Sequence, residues 1–326
     1  MGRESHQHRY WSCPPVPPPR KNDLPGDPHD VKTYKEYNDR YFDDHGEKDE
    51  SIPVEQYTGE NPVDGGFVDH HEGPVGQVQW NDDIHQVRGT HIDLSEYAGL
   101  RECSGTLIDD DLFLTAGHCF VVNGGPPPAQ VAEQMHVDFN YQEDSDGNPP
   151  DETDVDRYDV DSLVELAFQH AGLDYAILEL EGDPGSEYGT VEVAGADAQK
   201  GDTLCMIAHP NGLPKRILTG HASHFHDVRI GYDDINTAPG SSGAGLLNDD
   251  GALVGVHSES GIGINFGHNH GIRISAILNA SPTLRDRVDE PIYQYTYESH
   301  SAMTDSRRST SVPKDESYAV NDQAEK

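Results

Sequence analysis

The stretch TAPGSSGAGLLNDDGALVGVHSE, residues 237–259, places two serines between glycines and then continues into an apolar run. Glycine permits backbone angles that other residues avoid, and serine hydroxyls hydrogen-bond nearby backbone groups, so Gly-Ser-Ser-Gly alone predicts a tight turn. The run ALVGVH that follows, residues 252–257, predicts a β-strand. A purely structural turn between two strands would explain this pattern. Whether the serines instead belong to a functional site depends on what the rest of the chain contains.

The central part of the chain has the texture of an all-β fold. From Gly73 to about Val288, short apolar runs are broken by Gly, Asp, Asn and Pro at intervals of about ten residues. One short helix is predicted near the end of this region, at IRISAIL, residues 272–278. The flanking residues 1–73 and 289–326 contain few aliphatic side chains, so we expect a disordered extension and a disordered tail.

The chain is strongly acidic, with 59 Asp and Glu against 22 Lys and Arg and a net charge of −37. Such a chain repels phosphate backbones, so nucleic acid is not expected as a partner. A dense acidic surface suits concentrated salt, where screening removes self-repulsion. An acidic surface in an ordinary compartment explains the composition equally well. No apolar run is long enough to span a bilayer, and none at the N-terminus has signal-peptide character.

Three local signals lie within the β-rich region in the order His, Asp, Ser. His118 ends the apolar run LTAGHC, Asp174 opens LDYAILEL, and Ser242 lies in GSSG. A serine hydroxyl becomes a nucleophile at neutral pH when a base lies within hydrogen-bond reach and a carboxylate orients that base. Each signal alone is more often a turn or core residue. The three together supply the hydroxyl, the base and the carboxylate that such chemistry requires.

These motifs resemble those of the trypsin-like serine peptidases. TAGHC at 115–119 is similar to the histidine motif of that family, DYAIL at 174–178 to its aspartate motif, and GSSGA at 240–244 to its serine motif. The resemblance covers about residues 74–288. It implies an all-β fold of two six-stranded Greek-key β-barrels with a short C-terminal helix and the site between the barrels.

The resemblance also implies a role for each matched residue. Ser242 would be the nucleophile, His118 the general base and then the general acid, and Asp174 the group that orients the imidazole. The backbone N–H groups of Gly240 and Ser242 would form the oxyanion hole. The function implied is a serine endopeptidase that hydrolyses protein or peptide substrates through an acyl-enzyme intermediate.

The residue before the nucleophile points to one branch of the family. In the chymotrypsin branch an aspartate at this place pairs with an N-terminus made by activation cleavage, whereas Ser241 carries no charge. The chain is closer to the V8-like, glutamyl-endopeptidase branch, and IAHPNGLPK at 207–215 is similar to a segment of those enzymes. The same resemblance implies a disulfide between Cys103 and Cys119.

That branch also implies a substrate preference. His257 and Thr237 match the residues that recognise an acidic side chain before the scissile bond, because an imidazole and a hydroxyl can donate hydrogen bonds to a carboxylate. Ser258 and Ser260 would line the strand that pairs with substrate. A strand histidine packed in the barrel is the other interpretation of His257, and Glu259 would repel an acidic substrate unless it points away.

The cysteines indicate an oxidising destination. A Cys103–Cys119 disulfide favours an extracellular, secreted protein. The absence of a visible signal peptide conflicts with it, and we give the disulfide more weight. Cys205 lies in the apolar run LCMIA and is predicted to be a buried thiol, while Cys13 has no evident partner.

We expect no cofactor and no designed metal site. Asp144, Asp146 and Asn148 alternate as in a calcium loop, but the glycine stands at the fourth place rather than the sixth, and a solvated acidic loop between 138 and 161 is the preferred interpretation. Calcium binding there stays open. His224 and His226 share a strand face without zinc-site spacing.

Two further alternatives remain from the sequence. A catalytically inactive homologue could bind peptides through the same cleft, and a calcium-dependent acidic module could use the 138–161 loop and leave the triad unexplained. We expect a monomer. The extension before Gly73 could be a propeptide that the enzyme trims from itself.

Overall fold

The computed structural model describes residues 20–59, 62–84, 92–151, 153–259 and 269–286. Most of its regular structure is antiparallel β. In chain order the strands are β1 (Ile52–Pro53), β2 (Val75–Trp80), β3 (Arg101–Leu107), β4 (Leu112–Thr115), β5 (Met135–Phe139), β6 (Asp156–Phe168), β7 (Asp174–Leu180), β8 (Thr203–Ala208), β9 (Arg216–His221), β10 (His224–His226), β11 (Arg229–Tyr232), β12 (Gly245–Leu247), β13 (Leu253–Glu259) and β14 (Asn269–Arg273). The helices are α1 (Val31–His45), α2 (Gly65–His71), α3 (Pro128–Ala132), α4 (Pro184–Tyr188), α5 (Ile274–Ala280) and α6 (Pro282–Arg285).

The first half of the β region is a closed barrel in the order β2-β3-β4-β7-β6-β5. Every residue of β2 is buried, as is every residue of β4 and β5. These strands enclose an apolar interior that includes Val78, Phe113 and Val137, each 0% exposed. Closure removes free strand edges, and it places β4 beside β7, which positions the site.

The second half is an eight-stranded sheet in the order β1-β9-β8-β12-β13-β14-β11-β10. The stretch 237–259 becomes the loop before β12 together with the β12–β13 hairpin, as its turn and strand signals predict. The expectation of a six-stranded second barrel is corrected here for the described residues. β1, from the N-terminal region, forms one edge of the sheet by pairing with β9 through Ile52 and Ile217, and β10 forms the opposite edge.

The predicted disorder of residues 1–73 is wrong for most of that stretch. Asp30 caps α1 by accepting a hydrogen bond from the Lys32 N–H, and the helix ends at Gly46 in the left-handed region. Tyr34 and Phe42 on α1 are 0% and 4% exposed. Aliphatic content alone understates the core here, because aromatic side chains bury large areas. Residues 1–19, including Cys13, lie outside the described residues.

The predicted C-terminal helix is confirmed with a shifted start. The strand β14 continues to Arg273, and α5 begins at Ile274, so the first part of the predicted helix is strand. Ile274, Ile277 and Leu278 of α5 are buried against the second sheet. The predicted tail, residues 289–326, lies outside the described residues.

Among the described helices, none is long and apolar enough to cross a membrane.

Candidate active site

His118 and Asp174 form a doubly hydrogen-bonded pair on neighbouring strands of the closed barrel. His118 lies in a 3-10 turn, Gly117–Phe120, directly after β4, and Asp174 is the first residue of β7. The His118 N–H donates to Asp174 Oδ1 at 2.9 Å, and His118 Nδ1 lies 2.7 Å from Asp174 Oδ2. Their side chains are only 10% and 8% exposed. The two motifs recognised in the sequence therefore meet in space.

Ser258 extends this pair to a third residue. Its hydroxyl donates to Asp174 Oδ2 at 2.5 Å, and the side chain is 3% exposed. From the sequence, Ser258 was expected to be a substrate-binding residue. Its hydroxyl points at the buried carboxylate and helps to orient it, while the pairing of this strand with the substrate backbone stays a prediction. The carboxylate accepts hydrogen bonds on both oxygens, so the position of His118 is well determined.

The electrostatics of the pair suit a base. Burial alone would lower the pKa of His118, but the facing Asp174 carboxylate outweighs it and raises that pKa above its ordinary value of 6.5. Burial would raise the pKa of Asp174, but the charge of His118 and the hydrogen bonds from His118 and Ser258 hold that pKa below its usual value. Asp174 is therefore ionised at neutral pH.

Ser104 on β3 holds the loop that carries Ser242 against the closed barrel. No sequence motif singled out this residue. The Ser104 N–H donates to the Ser242 carbonyl at 2.8 Å, and the Ser104 hydroxyl donates to the Gly240 carbonyl at 2.8 Å. Ser104 follows Cys103, which forms a disulfide with Cys119, the neighbour of His118. The predicted disulfide is confirmed, and it connects the strand under the serine loop to the histidine turn.

Gly240 has a backbone conformation and surroundings that exclude a side chain. Its φ is +89°, and a Cβ there would lie 2.5 Å from the His209 carbonyl oxygen. The carbonyl of the preceding Pro239 accepts a hydrogen bond from the Asn211 N–H. Within the described residues, the N–H groups of Gly240 and Ser242 donate to no backbone carbonyl. Two amides suited to an oxyanion hole are thus available beside a half-buried Ser242.

Ser241 contributes packing rather than charge to this loop. It is 0% exposed, and its N–H donates to the Ala238 carbonyl at 3.1 Å. Its hydroxyl has no hydrogen-bond partner among the described residues. The loop is therefore formed without a charged residue at this position.

The predicted specificity residues His257 and Thr237 lie deep in the second sheet. His257, on β13, is 1% exposed, and its Nδ1 contacts the hydroxyl of Tyr232. Burial, followed by the nearby His118 and His270, lowers the pKa of His257 to about 3, so its imidazole is neutral. Sequence reasoning missed Tyr232, because only the pairing of β11 and β13 with β14 brings it close.

The Thr237 hydroxyl forms a hydrogen bond within the protein. It is 0% exposed and donates to Asn269 Oδ1 at 2.8 Å, while Asn269 in turn donates to the Ile235 carbonyl at 2.5 Å. The Thr237 hydroxyl is engaged with Asn269 in this structure, and its expected hydrogen bond to a substrate carboxylate stays a prediction. Ser260 lies outside the described residues.

The carboxylate of Glu259 is paired with an arginine. Arg229 on β11 binds it through two hydrogen bonds of 3.0 and 2.9 Å. A bidentate pair of this kind is strong and directional. The repulsion of acidic substrates that the sequence suggested is therefore offset by the arginine.

In the predicted acidic loop, the Asp144 carboxylate accepts hydrogen bonds from other residues of the loop. Asp144 Oδ1 accepts from the N–H groups of Asp146 and Asn148, and its Oδ2 accepts from the Asn148 amide. These contacts close a turn around the Asp144 carboxylate. On β10, His224 faces His270 at 3.2 Å between Nε2 atoms. In the described residues the one tight group of possible metal ligands contains Cys103 and Cys119, whose thiols are consumed in the disulfide.

Comparison with known proteins finds similarity to peptidases. The family model of the trypsin-like peptidase domain matches residues 103–256. Exfoliative toxin A of Staphylococcus aureus is 27% identical over 197 residues, which are 56% of this chain and 66% of the toxin. The chain thus spans slightly less than two thirds of that relative.

Two solved structures are similar at 18% identity. A Glu endopeptidase in complex with MPD has a TM-score of 0.45, with 64% of this chain and 88% of that one covered. A serine endoprotease from Yersinia pestis has a TM-score of 0.45, with 68% and 66% covered. The matched range 103–256 begins at the cystine and includes all three motifs. Residues 103–256 of this chain are similar to a trypsin-like peptidase domain.

Proposed function

We propose that this protein is a serine endopeptidase in which Ser242, His118 and Asp174 form the catalytic triad. The observation that carries the proposal is the hydrogen-bonded series Ser258, Asp174, His118, with 2.5 Å and 2.7 Å between its side chains. A buried carboxylate oriented in this way selects one imidazole tautomer, in which Nδ1 bears the proton and Nε2 is free to act as a base. The trypsin-like domain supports the same chemistry.

The proposed reaction has two halves. Ser242 Oγ attacks the scissile carbonyl carbon while His118 Nε2 takes the hydroxyl proton, and the N–H groups of Gly240 and Ser242 stabilise the oxyanion, each by roughly 3 kcal/mol. His118 then gives its proton to the leaving amine, and the acyl-enzyme remains. Water attacks the acyl group with His118 again as base, which restores the serine. No metal or cofactor takes part in this scheme.

We further propose a preference for Glu or Asp before the scissile bond, through His257. Tyr232 is protonated, because burial raises its pKa well above its ordinary value, with Glu259 adding to the effect. If its hydroxyl donates to Nδ1 of the neutral His257, Nε2 carries the ring proton and can donate to a substrate carboxylate. Recognition would then rest on a hydrogen bond from a neutral ring.

The first test is mass-spectrometric labelling with a fluorophosphonate, which reports an activated serine whatever the peptide preference. We expect stoichiometric labelling of Ser242 in the wild type, and no labelling of Ser242→Ala or His118→Ala. The matched control is Ser241→Ala, because the Ser241 hydroxyl makes no hydrogen bond in the described residues and its loss should leave labelling intact. Folded wild-type protein that stays unlabelled in low and high salt would favour a peptide-binding homologue without activity.

The preference is tested with a peptide panel that varies only the residue before the scissile bond among Glu, Asp, Gln, Lys, Phe and Ala. We expect the highest kcat/KM for Glu, and loss of the advantage of Glu over Gln in His257→Ala. Tyr232→Phe removes the hydroxyl contact at Nδ1 and should weaken the same advantage. Fast cleavage after Lys, Phe or Ala with none after Glu would contradict the acidic preference.

The disulfide supports a proposed extracellular location. Cytosolic thiol buffers keep most such cysteine pairs reduced, so Cys103–Cys119 indicates an oxidising compartment. Alkylation of protein from its native source should leave these two cysteines unmodified until a reductant is added. Free thiols at both positions in freshly isolated protein would contradict this location.

A further inference from the structure

We propose that helix α1 orients the Pro239–Gly240 peptide of the oxyanion hole through the side-chain pair Asn38 and Asn211. This proposal rests on the proposed peptidase function and assigns positioning roles to two residues outside the triad. The N-terminal region, expected from its composition to be a disposable extension, would then be part of the catalytic apparatus.

Helix α1 contacts the turn behind the oxyanion loop through buried amides. Asn211 Nδ2 donates to Asn38 Oδ1 at 2.9 Å, and Asn38 Nδ2 donates to Asp49 Oδ2 at 2.9 Å. Asn38 and Asn211 are 4% and 0% exposed. Because both ends of the Asn38 amide are engaged, its orientation is determined, and the hydrogen bond to Asn211 is shielded from water.

Asn211 in turn contacts the oxyanion peptide through its backbone. It has φ of +51°, a conformation that asparagine tolerates and that directs its backbone N–H at the carbonyl of Pro239. In a planar trans peptide the carbonyl and the N–H point in opposite directions. Holding the Pro239 carbonyl toward Asn211 therefore turns the Gly240 N–H to the other side, away from the 209–212 turn.

Helix α1 also packs on the two segments that flank this peptide. Tyr41 and Phe42 form a small buried apolar cluster with Ala238, directly before Pro239. On the other side, Tyr34 lies against Gly212, where a Cβ would be 2.6 Å from its ring. The helix thus contacts the chain on both sides of the hydrogen bond between Asn211 and Pro239, which makes it a rigid support for that bond.

The residue before the nucleophile cannot supply this support. Ser241 has no charge, and its hydroxyl has no hydrogen-bond partner among the described residues. Polar support of the Pro239–Gly240 peptide comes instead from Asn211, and the next peptide is held by Ser104, whose hydroxyl donates to the Gly240 carbonyl. Of these two, only Asn211 is tied to a side chain of α1.

The test is a double-mutant cycle with Asn38→Ala and Asn211→Gly in the full chain. Glycine at 211 retains the backbone N–H and the positive φ but removes the side-chain contact. For each single variant we expect kcat to fall about 10- to 100-fold, less than the 10²- to 10³-fold loss of a whole oxyanion donor, with KM nearly unchanged. The double variant should lose little more than either single variant, because both remove one interaction.

A second readout isolates the oxyanion hole. The affinity for a peptide aldehyde, whose adduct with serine carries an oxyanion, should fall in parallel with kcat in both variants, whereas the acid limb of the pH profile should stay in place. The matched control is Thr33→Ala, which removes a 4% exposed side chain of the same helix that lies next to Gly26. It should leave kcat and aldehyde affinity unchanged.

The outcomes separate this proposal from the proposed function. Additive losses in the cycle, or an aldehyde affinity that does not follow kcat, would overturn the positioning role. If the wild type shows no activated serine, the proposed function fails, and crystal structures of the two variants then decide the positioning role directly. A Pro239–Gly240 peptide in the wild-type orientation in both variants would overturn it. Should Asn38→Ala not fold, Asn211→Gly alone supplies both readouts.

Discussion

At the level of single residues, His118 can act as a base only when its imidazole is neutral. Its pKa lies above 6.5, because the Asp174 carboxylate outweighs the effect of burial. A raised pKa means that the neutral, active form appears at higher pH than for a free histidine. The acid limb of the rate profile therefore reports the environment of this one ring.

We predict that kcat/KM rises with pH along a limb whose midpoint lies above 6.5, the ordinary value for histidine. Asp174→Asn removes the charge that raises this pKa, so the midpoint should move to lower pH while the rate falls by about 10⁴-fold, as in other triads. Steady-state rates from pH 5 to about pH 9 check both statements. A wild-type midpoint below 6.5 would contradict the assignment.

Ser258 offers a second residue-level prediction. Ser258→Ala removes the 2.5 Å hydrogen bond to Asp174. Hydrogen bonds to charged groups contribute about 1.5–3 kcal/mol, so we expect kcat/KM to fall about 10-fold or more. Ser258→Thr retains the hydroxyl and should recover most of the rate. If the alanine variant were as fast as the wild type, the hydroxyl would have no role in orienting the carboxylate.

At the level of elements, α1 is the feature that composition concealed. It lies in a polar stretch, yet its aromatic residues pack into the domain, and Tyr34 is fully buried beside Arg101 and Gly212. The ring of Tyr34 fills space that solvent would otherwise enter. An element of this kind adds to the core even though few of its residues are aliphatic.

We predict that Tyr34→Ala lowers the free energy of unfolding by about 3–5 kcal/mol, as truncation of large buried aromatic side chains does. Lys32→Ala on the same helix is the control, because its side chain is 77% exposed and its loss should change stability by less than about 0.5 kcal/mol. Urea unfolding monitored by tryptophan fluorescence measures both. Equal stabilities for the two variants would mean that α1 does not belong to the cooperative core.

At the level of the whole molecule, the main electrostatic feature is the net charge of −37. Self-repulsion among so many carboxylates destabilises the compact state, and added salt screens it. The Debye length falls from about 30 Å at 0.01 M to about 3 Å at 1 M ionic strength. Long-range repulsion is therefore nearly abolished in molar salt.

We predict that the melting temperature rises as NaCl increases from 0.01 M toward the molar range, with most of the change at the low end. Differential scanning calorimetry at pH 7 measures it. Repeating the titration at pH 4, where many carboxylates are protonated, should give a smaller rise because less charge remains to be screened. A melting temperature independent of salt at pH 7 would contradict the electrostatic account.

The local motifs predicted much of the β architecture and the identity of the central residues. TAGHC, DYAIL and GSSGA each place a reactive side chain in or next to a strand, and such short-range patterns can be recognised from neighbouring residues alone. The Cys103–Cys119 pairing was likewise predicted by resemblance and is confirmed by the structure. The proposed roles of the triad rest on the same motifs.

Folding decided how these residues are supported, because that depends on contacts between distant parts of the chain. Ser104 holds the serine loop across 136 positions, and Asn38 reaches Asn211 across 173. The hydroxyl of Ser258 points at Asp174 across 84 positions. No local pattern encodes such contacts, since they arise only when the closed barrel and the second sheet pack together and α1 covers their loops. Short motifs thus supply the candidate reactive residues, and the tertiary structure determines how those residues are oriented.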